Sequence, residues 1–226
     1  MHNCHVVIVA AGSGRRFGSA LPKQFCMLAG RPVLMHTIDR MREALPDAGM
    51  TVVLSKDMRE LWQELCREHA FNSPDIVDGG PSRSASVRNA VLSLQSVPDV
   101  VLVHDGARPL VSTGCVREAA EAVHGGVDGA IPAVSVTDSL RLMLPDGRSE
   151  AVDRNLYRAV QTPQAFDGAK LTEAYRRCDG DFSDDASIMQ HCGHTNIVLT
   201  QGEPSNIKIT NPIDLEIAEL LMARKP

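Results

Sequence analysis

The run Ala10-Ala11-Gly12-Ser13-Gly14-Arg15-Arg16-Phe17-Gly18 puts two arginines inside a glycine-rich loop, and Lys23 follows in Pro22-Lys23-Gln24-Phe25. Glycines let backbone approach a ligand closely and turn its N–H groups inward, which is what a phosphate-binding loop needs. Three chemistries compete for such a loop. A Walker A loop ends in Gly-Lys-Ser/Thr, which is missing here, and a dinucleotide loop needs GxGxxG where this chain reads GxGxxxG. The next strand also ends Leu54-Ser55-Lys56 without the acidic residue that holds a ribose. A nucleotidyltransferase loop fits better, because Arg15, Arg16 and Lys23 would meet a triphosphate. Lys23, held between a proline and a following helical turn, is placed to stabilise charge on a transferring phosphoryl group.

Two further segments carry polar groups at strand ends. His104-Asp105-Gly106-Ala107-Arg108-Pro109 follows the apolar run Val100 to Val103, and a carboxylate there is a usual Mg²⁺ partner in triphosphate chemistry. Its plain alternative is an Asp that caps a loop. Asp78-Gly79-Gly80-Pro81-Ser82-Arg83-Ser84-Ala85-Ser86-Val87 leaves room for a planar base whose edge Ser86 could bind, while Ser82 or Ser84 caps the helix that follows. Asp153-Arg154-Asn155, Gln161-Thr162-Pro163-Gln164-Ala165-Phe166, Ser183-Asp184-Asp185-Ala186-Ser187 and Asn206-Ile207-Lys208-Ile209-Thr210 are each ordinary as a turn, a cap or a solvated charge.

These segments must be held by elements that the patterning supplies. Strand-like runs at His5–Val9, Met50–Leu54, Asp75–Val77, Val100–Val103 and Gly129–Pro132 alternate with helical patterns at Val33–Ala44, Met58–His69, Ser82–Leu94 and Cys115–Val123. That alternation predicts an α/β fold, a single doubly wound, mainly parallel sheet with helices on both faces. Ligands bind such sheets at the carboxyl ends of the strands. The rhythm breaks after Val136, where polar and apolar residues alternate up to the turn Pro145-Asp146-Gly147 and return through Val152-Asp153-Arg154. This predicts a β-hairpin arm, residues 136–156, inserted in one domain spanning 1–226. Helices resume after Asp167, then a strand at Asn196–Leu199 and a last helix from Pro212.

The 226 residues are enough to bury a core without disulfides or a structural metal. Hydrophobic residues at 43% and charged residues at 23% are the balance of a soluble globular chain. The net charge of −5 argues against binding a nucleic-acid polymer, so cations for an anionic ligand must be concentrated locally. The six cysteines include no CxxC pair and are too scattered for a disulfide framework. His191-Cys192-Gly193-His194 has the wrong spacing for zinc and reads as a helix end running into a turn; His2, Cys4 and His5 rank no higher as ligands. The first apolar run, Val6 to Ala11, stops at Gly12, and no stretch is long enough to span a membrane. A reducing cytoplasm is the expected compartment.

Taken together, the AAGxGxR loop, PKQF, DGG…S, HDxARP, VxDS, DRxL…QTPQxF, SDDAS and NIKIT occur in the order that resembles the 2-C-methyl-D-erythritol 4-phosphate cytidylyltransferases of non-mevalonate isoprenoid synthesis, from about Val6 to Leu215. The resemblance implies a nucleotide-diphospho-sugar-transferase-like Rossmann variant whose hairpin is a dimerisation arm. It implies CTP and a polyol phosphate as substrates, pyrophosphate as by-product, Mg²⁺ bound mainly through the CTP phosphates with Asp105 as its protein partner, and a homodimer. Ala10, Ala11, Gly12, Gly80 and Ser86 would surround the cytidine, and Gly14 and Arg15 the phosphates. Arg16 and Lys23 would stabilise the transition state, while Asp105, Ala107 and Arg108 line the junction of the two substrates. Thr162, Ser183 and Lys208 would hold the acceptor, with Ser139 and Arg154 reaching in from the other subunit. Two departures stand out: Val9 where the family usually has Pro, and Pro81 where it often has Asp, which removes one backbone N–H from the base pocket. A ribitol-5-phosphate cytidylyltransferase and a nicotinamide-dependent reductase are the alternatives.

Overall fold

The computed structural model describes residues 3–12 and 21–224. In chain order, β1 (Cys4–Val9) precedes the short ribbon β2 (Met27–Leu28) and β3 (Arg31–Pro32), then α1 (Val33–Ala44), β4 (Gly49–Leu54), α2 (Arg59–Glu68), β5 (Asp75–Asp78), α3 (Arg83–Ser93) and β6 (Val100–Asp105). The second half holds α4 (Thr113–His124), β7 (Gly129–Ser135), β8 (Arg141–Met143), β9 (Ser149–Ala151), β10 (Arg158–Val160), β11 (Gln164–Asp167), α5 (Gly168–Arg177), α6 (Asp185–His191), β12 (Ile197–Gln201) and α7 (Pro212–Ala223).

The main sheet runs β10-β7-β11-β6-β1-β4-β5, with β12 also paired to β7. β1 lies parallel between β4 and β6, with Val9 opposite Val53 on one side and Asp105 on the other. The chain winds from β1 outward through β4 to β5 and then returns to the other side of β1 as β6. This reversal of strand order opens a crevice at the carboxyl ends of β1 and β6, where α/β sheets bind ligands. β10 and β11 run antiparallel to their neighbours, so the sheet is mixed but mostly parallel.

Strand alternation explains the two helical layers. Val6, Ile8, Val52, Leu54 and Leu102 enter one apolar cluster with α1, α2 and α4. Val7, Val53, Val101 and Val103 point the other way into a cluster with α3, α5 and α6. Each central strand is therefore apolar on both faces, as a covered parallel sheet requires. The predicted turn at Gly193 is present, with φ of +92° just beyond α6, and among the described residues no group of His, Cys, Asp and Glu is arranged to hold a metal.

The predicted arm is a separate two-stranded ribbon: β8 pairs antiparallel with β9, Arg141 opposite Ala151, around the positive-φ Gly147. Every residue of β8 and β10 is exposed, including Leu142, Met143 and Val160. Among the described residues, no helix is long and apolar enough to cross a membrane.

Candidate active site

At the switch point lies a cavity of about 510 Å³, lined by Val9, Ala10, Ala11, Gly12, Lys23, Gln24, Gly80, Pro81, Ser82, Arg83, Ser86, Asp105, Ala107 and Lys208. A second cavity, about 150 Å³, adjoins it and is lined by Val160, Gln161, Thr162, Gln164, Ser183, Asp184 and Arg108. Arg83, Asp105 and Lys208 line both, so the two cavities meet at one cluster of charge. Of the expected phosphate-binding residues, Gly14, Arg15 and Arg16 lie outside the described residues.

The floor of the larger cavity is built from backbone. Ala10 N–H donates to Val53 O at 2.9 Å, and the buried Gln24 amide donates to Ala10 O at 2.7 Å and Gly12 O at 3.1 Å. Gln24 thus ties the first loop to the turn that carries Lys23, a positioning role that its place beside a lysine did not reveal. Opposite it, Gly79 N–H donates to Leu54 O, and a Cβ on Gly79 would fall 2.5 Å from Ala11 Cβ. One on Gly80 would fall 2.6 Å from Ala85 Cβ. The paired glycines are needed because two loops and a helix start close on one another.

Ser82 is the cap of α3, its Oγ accepting from Ala85 N at 3.2 Å. Ser86 has a second task. Its Oγ–H donates to Ser82 O at 2.8 Å and its oxygen accepts from Gly80 N at 3.0 Å. The hydroxyl therefore fixes the Gly80 turn and keeps one acceptor lone pair for a ligand.

Asp105, at the end of β6, is the centre of the junction. Oδ2 lies 2.8 Å from Lys208 Nζ and 3.4 Å from Arg108 Nε, and Oδ1 lies 3.6 Å from Arg83 Nε. Burial pushes its carboxyl up, but Lys208, Arg83 and Arg108 outweigh burial and hold it well below the ordinary carboxylate range. Both carboxylate oxygens thus face cations. The donor set fits a divalent ion held by phosphate oxygens and not one caged by protein.

Asn206 and Arg108 bring the Lys208 segment to this point. Arg108 Nη1 donates to Asn206 O at 2.7 Å, Asn206 Nδ2 to Thr162 O at 2.9 Å, and Ile209 N to Ala107 O at 2.9 Å. Thr162, expected to hold the acceptor, uses its hydroxyl inside the protein. It accepts from Asp105 N at 3.1 Å and contacts His104 Nδ1 at 3.0 Å. His104 is fully buried, and burial pushes its pKa down to about 4. The neutral ring must donate from Nε2 to Arg108 O at 3.1 Å, so Nδ1 accepts from Thr162. The direction of every bond in that chain is fixed, and neither Thr162 nor His104 has a proton to trade.

Arg83 is the residue that the sequence did not single out. It opens α3, where the helix dipole favours an anion, and that misfit was the available signal. Its Nη2 lies 2.8 Å from Asp185, which is fully buried and also accepts from Tyr175 OH at 2.6 Å. Burial alone would lower the pKa of Arg83, but Asp185 and Asp105 raise it above the ordinary value, so it stays charged. Gln164 braces the smaller cavity: its amide donates to Asp184 Oδ2 at 2.8 Å and accepts from the N–H groups of Asp185 and Ala186. Ser183 lines the smaller cavity. Ser139 and Arg154 do not reach either cavity of their own chain; both are exposed on the arm, where Arg154 donates to Thr137 O.

Asp105→Asn should lower Tm by about 10 °C, because removing one member of a buried charge cluster costs about 3–5 kcal/mol. The carboxyl is held low, so its contribution is fully present above the unfolded pKa of about 3.9 and is lost as pH falls below that toward the folded value. The Tm gap between wild type and Asp105→Asn should stay constant from neutral pH down to about 5 and narrow only below about 4. Thermal melts across that range check the sign; a gap that narrows near neutral pH would contradict the charge assignment.

The chain matches the family model "IspD: 2-C-methyl-D-erythritol 4-phosphate cytidylyltransferase" over residues 4–224. It is 45% identical over 223 residues to the enzyme of that name from Porphyromonas gingivalis, covering 96% of this chain and 97% of the relative. The Bacteroides thetaiotaomicron enzyme of the same name is 42% identical, covering 96% and 98%. The crystal structure of the Thermus thermophilus enzyme superposes with a TM-score of 0.73 at 31% identity, covering 96% and 98%. With its mostly parallel sheet, its paired cavities at the switch point and these matches along nearly its whole length, the chain belongs to the 2-C-methyl-D-erythritol 4-phosphate cytidylyltransferase family of nucleotidyltransferases.

Proposed function

We propose that this protein transfers CMP from CTP to 2-C-methyl-D-erythritol 4-phosphate, the acceptor phosphate attacking the α-phosphorus in line and expelling pyrophosphate. The observation that carries this reading is the shared wall of Arg83, Asp105 and Lys208 between a nucleotide-sized cavity and a smaller polar one. Two polyanions that must approach closely need cations at their meeting point. A phosphomonoester oxygen is already nucleophilic at neutral pH, so catalysis rests on alignment and charge neutralisation. Cytidine would lie over Ala10–Gly12 and Gly80, with the triphosphate toward Lys23. A Mg²⁺ ion arriving with CTP would supply further charge at the phosphate oxygens. The reaction is tested by pyrophosphate release with CTP and each five-carbon polyol phosphate in turn; release with ribitol 5-phosphate alone would overturn the acceptor assignment.

Ser86 supports cytosine over uracil. Its proton is committed to Ser82 O, so toward a base it can only accept. Cytosine presents an amino donor where uracil presents a carbonyl acceptor. CTP should be preferred over UTP, and Ser86→Ala should raise KM for CTP about tenfold and erode the preference, since one hydrogen bond and the Gly80 turn are lost together. Equal kcat/KM for CTP and UTP in the wild type would count against this base reading.

The active form in this reading is a homodimer. Leu142, Met143, Leu156, Tyr157 and Val160 are exposed on or beside the arm, and each such apolar side chain contributes about 1.5–3 kcal/mol when fully buried. A two-fold exchange of arms would cover them and deliver Ser139 and Arg154 to the partner's smaller cavity.

A further inference from the structure

Cys178 and Cys192 are 14 positions apart, and their Sγ atoms lie 2.7 Å from one another. Cys178 terminates α5 and Cys192 terminates α6. Both side chains are half-buried, within reach of solvent reagents. We propose that Cys178 and Cys192 form a reversible disulfide that staples the segment between them.

The segment is the one that walls the smaller cavity. It carries Ser183 and Asp184, which line that cavity, and Asp185, which holds Arg83. It is held to the rest of the molecule by Arg88 to Asp179, Phe182 N to Ser84 Oγ at 3.2 Å, Asp184 and Asp185 to Gln164, and by Ala186, Ile188 and Met189 of α6, which pack into the core. Joining the two helix ends closes a ring around the whole segment. The charge of Arg177, on the last turn of α5, favours the thiolate of Cys192. Burial outweighs it and pushes the Cys192 thiol up to about 11.

The oxidant is a low-molecular-weight disulfide. The Cys178 thiol gives its proton to solvent and its thiolate attacks one sulfur of the oxidant, expelling one small thiolate. The Cys192 thiol then loses its proton, attacks Sγ of Cys178 in the mixed disulfide and expels the second. Two protein thiols are oxidised, one disulfide is reduced to two thiols, and excess small thiol runs the exchange backward.

The test treats the full-length protein with oxidised glutathione and compares it with the dithiothreitol-reduced form. The expected result is a mass loss of about two hydrogens per chain, a linked peptide pair containing Cys178 and Cys192, and a Tm rise of about 5–10 °C from closing a 15-residue ring. Amide hydrogen exchange in residues 179–187 should slow, and dithiothreitol should reverse every change. Cys178→Ser and Cys192→Ser should each fold, keep the reduced Tm, and show none of these responses. Glutathione adducts that persist on either cysteine, a link to another cysteine or chain, or an oxidised form with unchanged exchange in residues 179–187 would each overturn the proposal.

Discussion

Replacing Lys23 by alanine is expected to lower kcat by roughly 10²-fold or more while KM for CTP moves only a few fold. Charge grows on the oxygens of the α-phosphorus as the acceptor attacks, and a fixed ammonium is worth most at that moment; loss of one comparable donor elsewhere costs about 10²–10³ in rate. The geometry favours this over a mere binding role. Pro22 precedes a 3-10 turn that Lys23 opens, and the buried Gln24 locks that turn to the loop carrying Ala10 and Gly12. The lysine therefore projects into the larger cavity from a rigid mount. Lys23→Arg should recover little, since a planar fork on the same mount places its charge differently. Steady-state kinetics decide the matter: a raised KM with kcat intact would make Lys23 a binding group only.

The second large effect concerns the proposed dimer. In the proposed dimer, Arg154→Ala and Lys208→Ala should each reduce activity by about 10²-fold, since each would remove a charge-assisted contact to the acceptor phosphate worth about 1.5–3 kcal/mol. Mixed under conditions of subunit exchange, they should complement. In a heterodimer one site receives both substitutions and the other neither, so activity rises toward half of wild type within that population. Arg154 is exposed and bonded to Thr137 O on its own arm, whereas Lys208 lies 2.8 Å from Asp105, so within one chain the two never share a cavity. Failure to complement, with exchange confirmed by mass spectrometry, would place both groups in one subunit's site.

Much of this architecture was legible because it is local. Val33–Ala44 is bounded as the pattern predicts, since Pro32 fixes its start and apolar residues recur at helical spacing toward the sheet. The hairpin was readable from alternation and from Pro145-Asp146-Gly147. β10 and β11 were not: each is only a few residues long and forms because β6 and β7 offer partners, so Gln161–Phe166 read as a motif and not as a strand. The same contrast holds at the site. The glycines, Lys23 and Asp105 announce themselves by type and place. That Asp105 meets Lys208, that Arg83 spans Asp105 and Asp185, and that the Thr162 hydroxyl bonds Asp105 N and His104 are matters of long-range folding, which spacing along the chain does not encode.

The close approach of Gly79 to Ala11 has a consequence for how such a site can change over generations. Because a Cβ at 79 would sit 2.5 Å from the one at 11, the two positions share a single methyl's worth of room. Neither loop can be enlarged alone. A methyl could pass from position 11 to position 79 only if both residues changed, and each intermediate would carry either a clash or a void. Sites so coupled are epistatic, so drift can explore the rim of the base pocket residue by residue while its floor stays fixed.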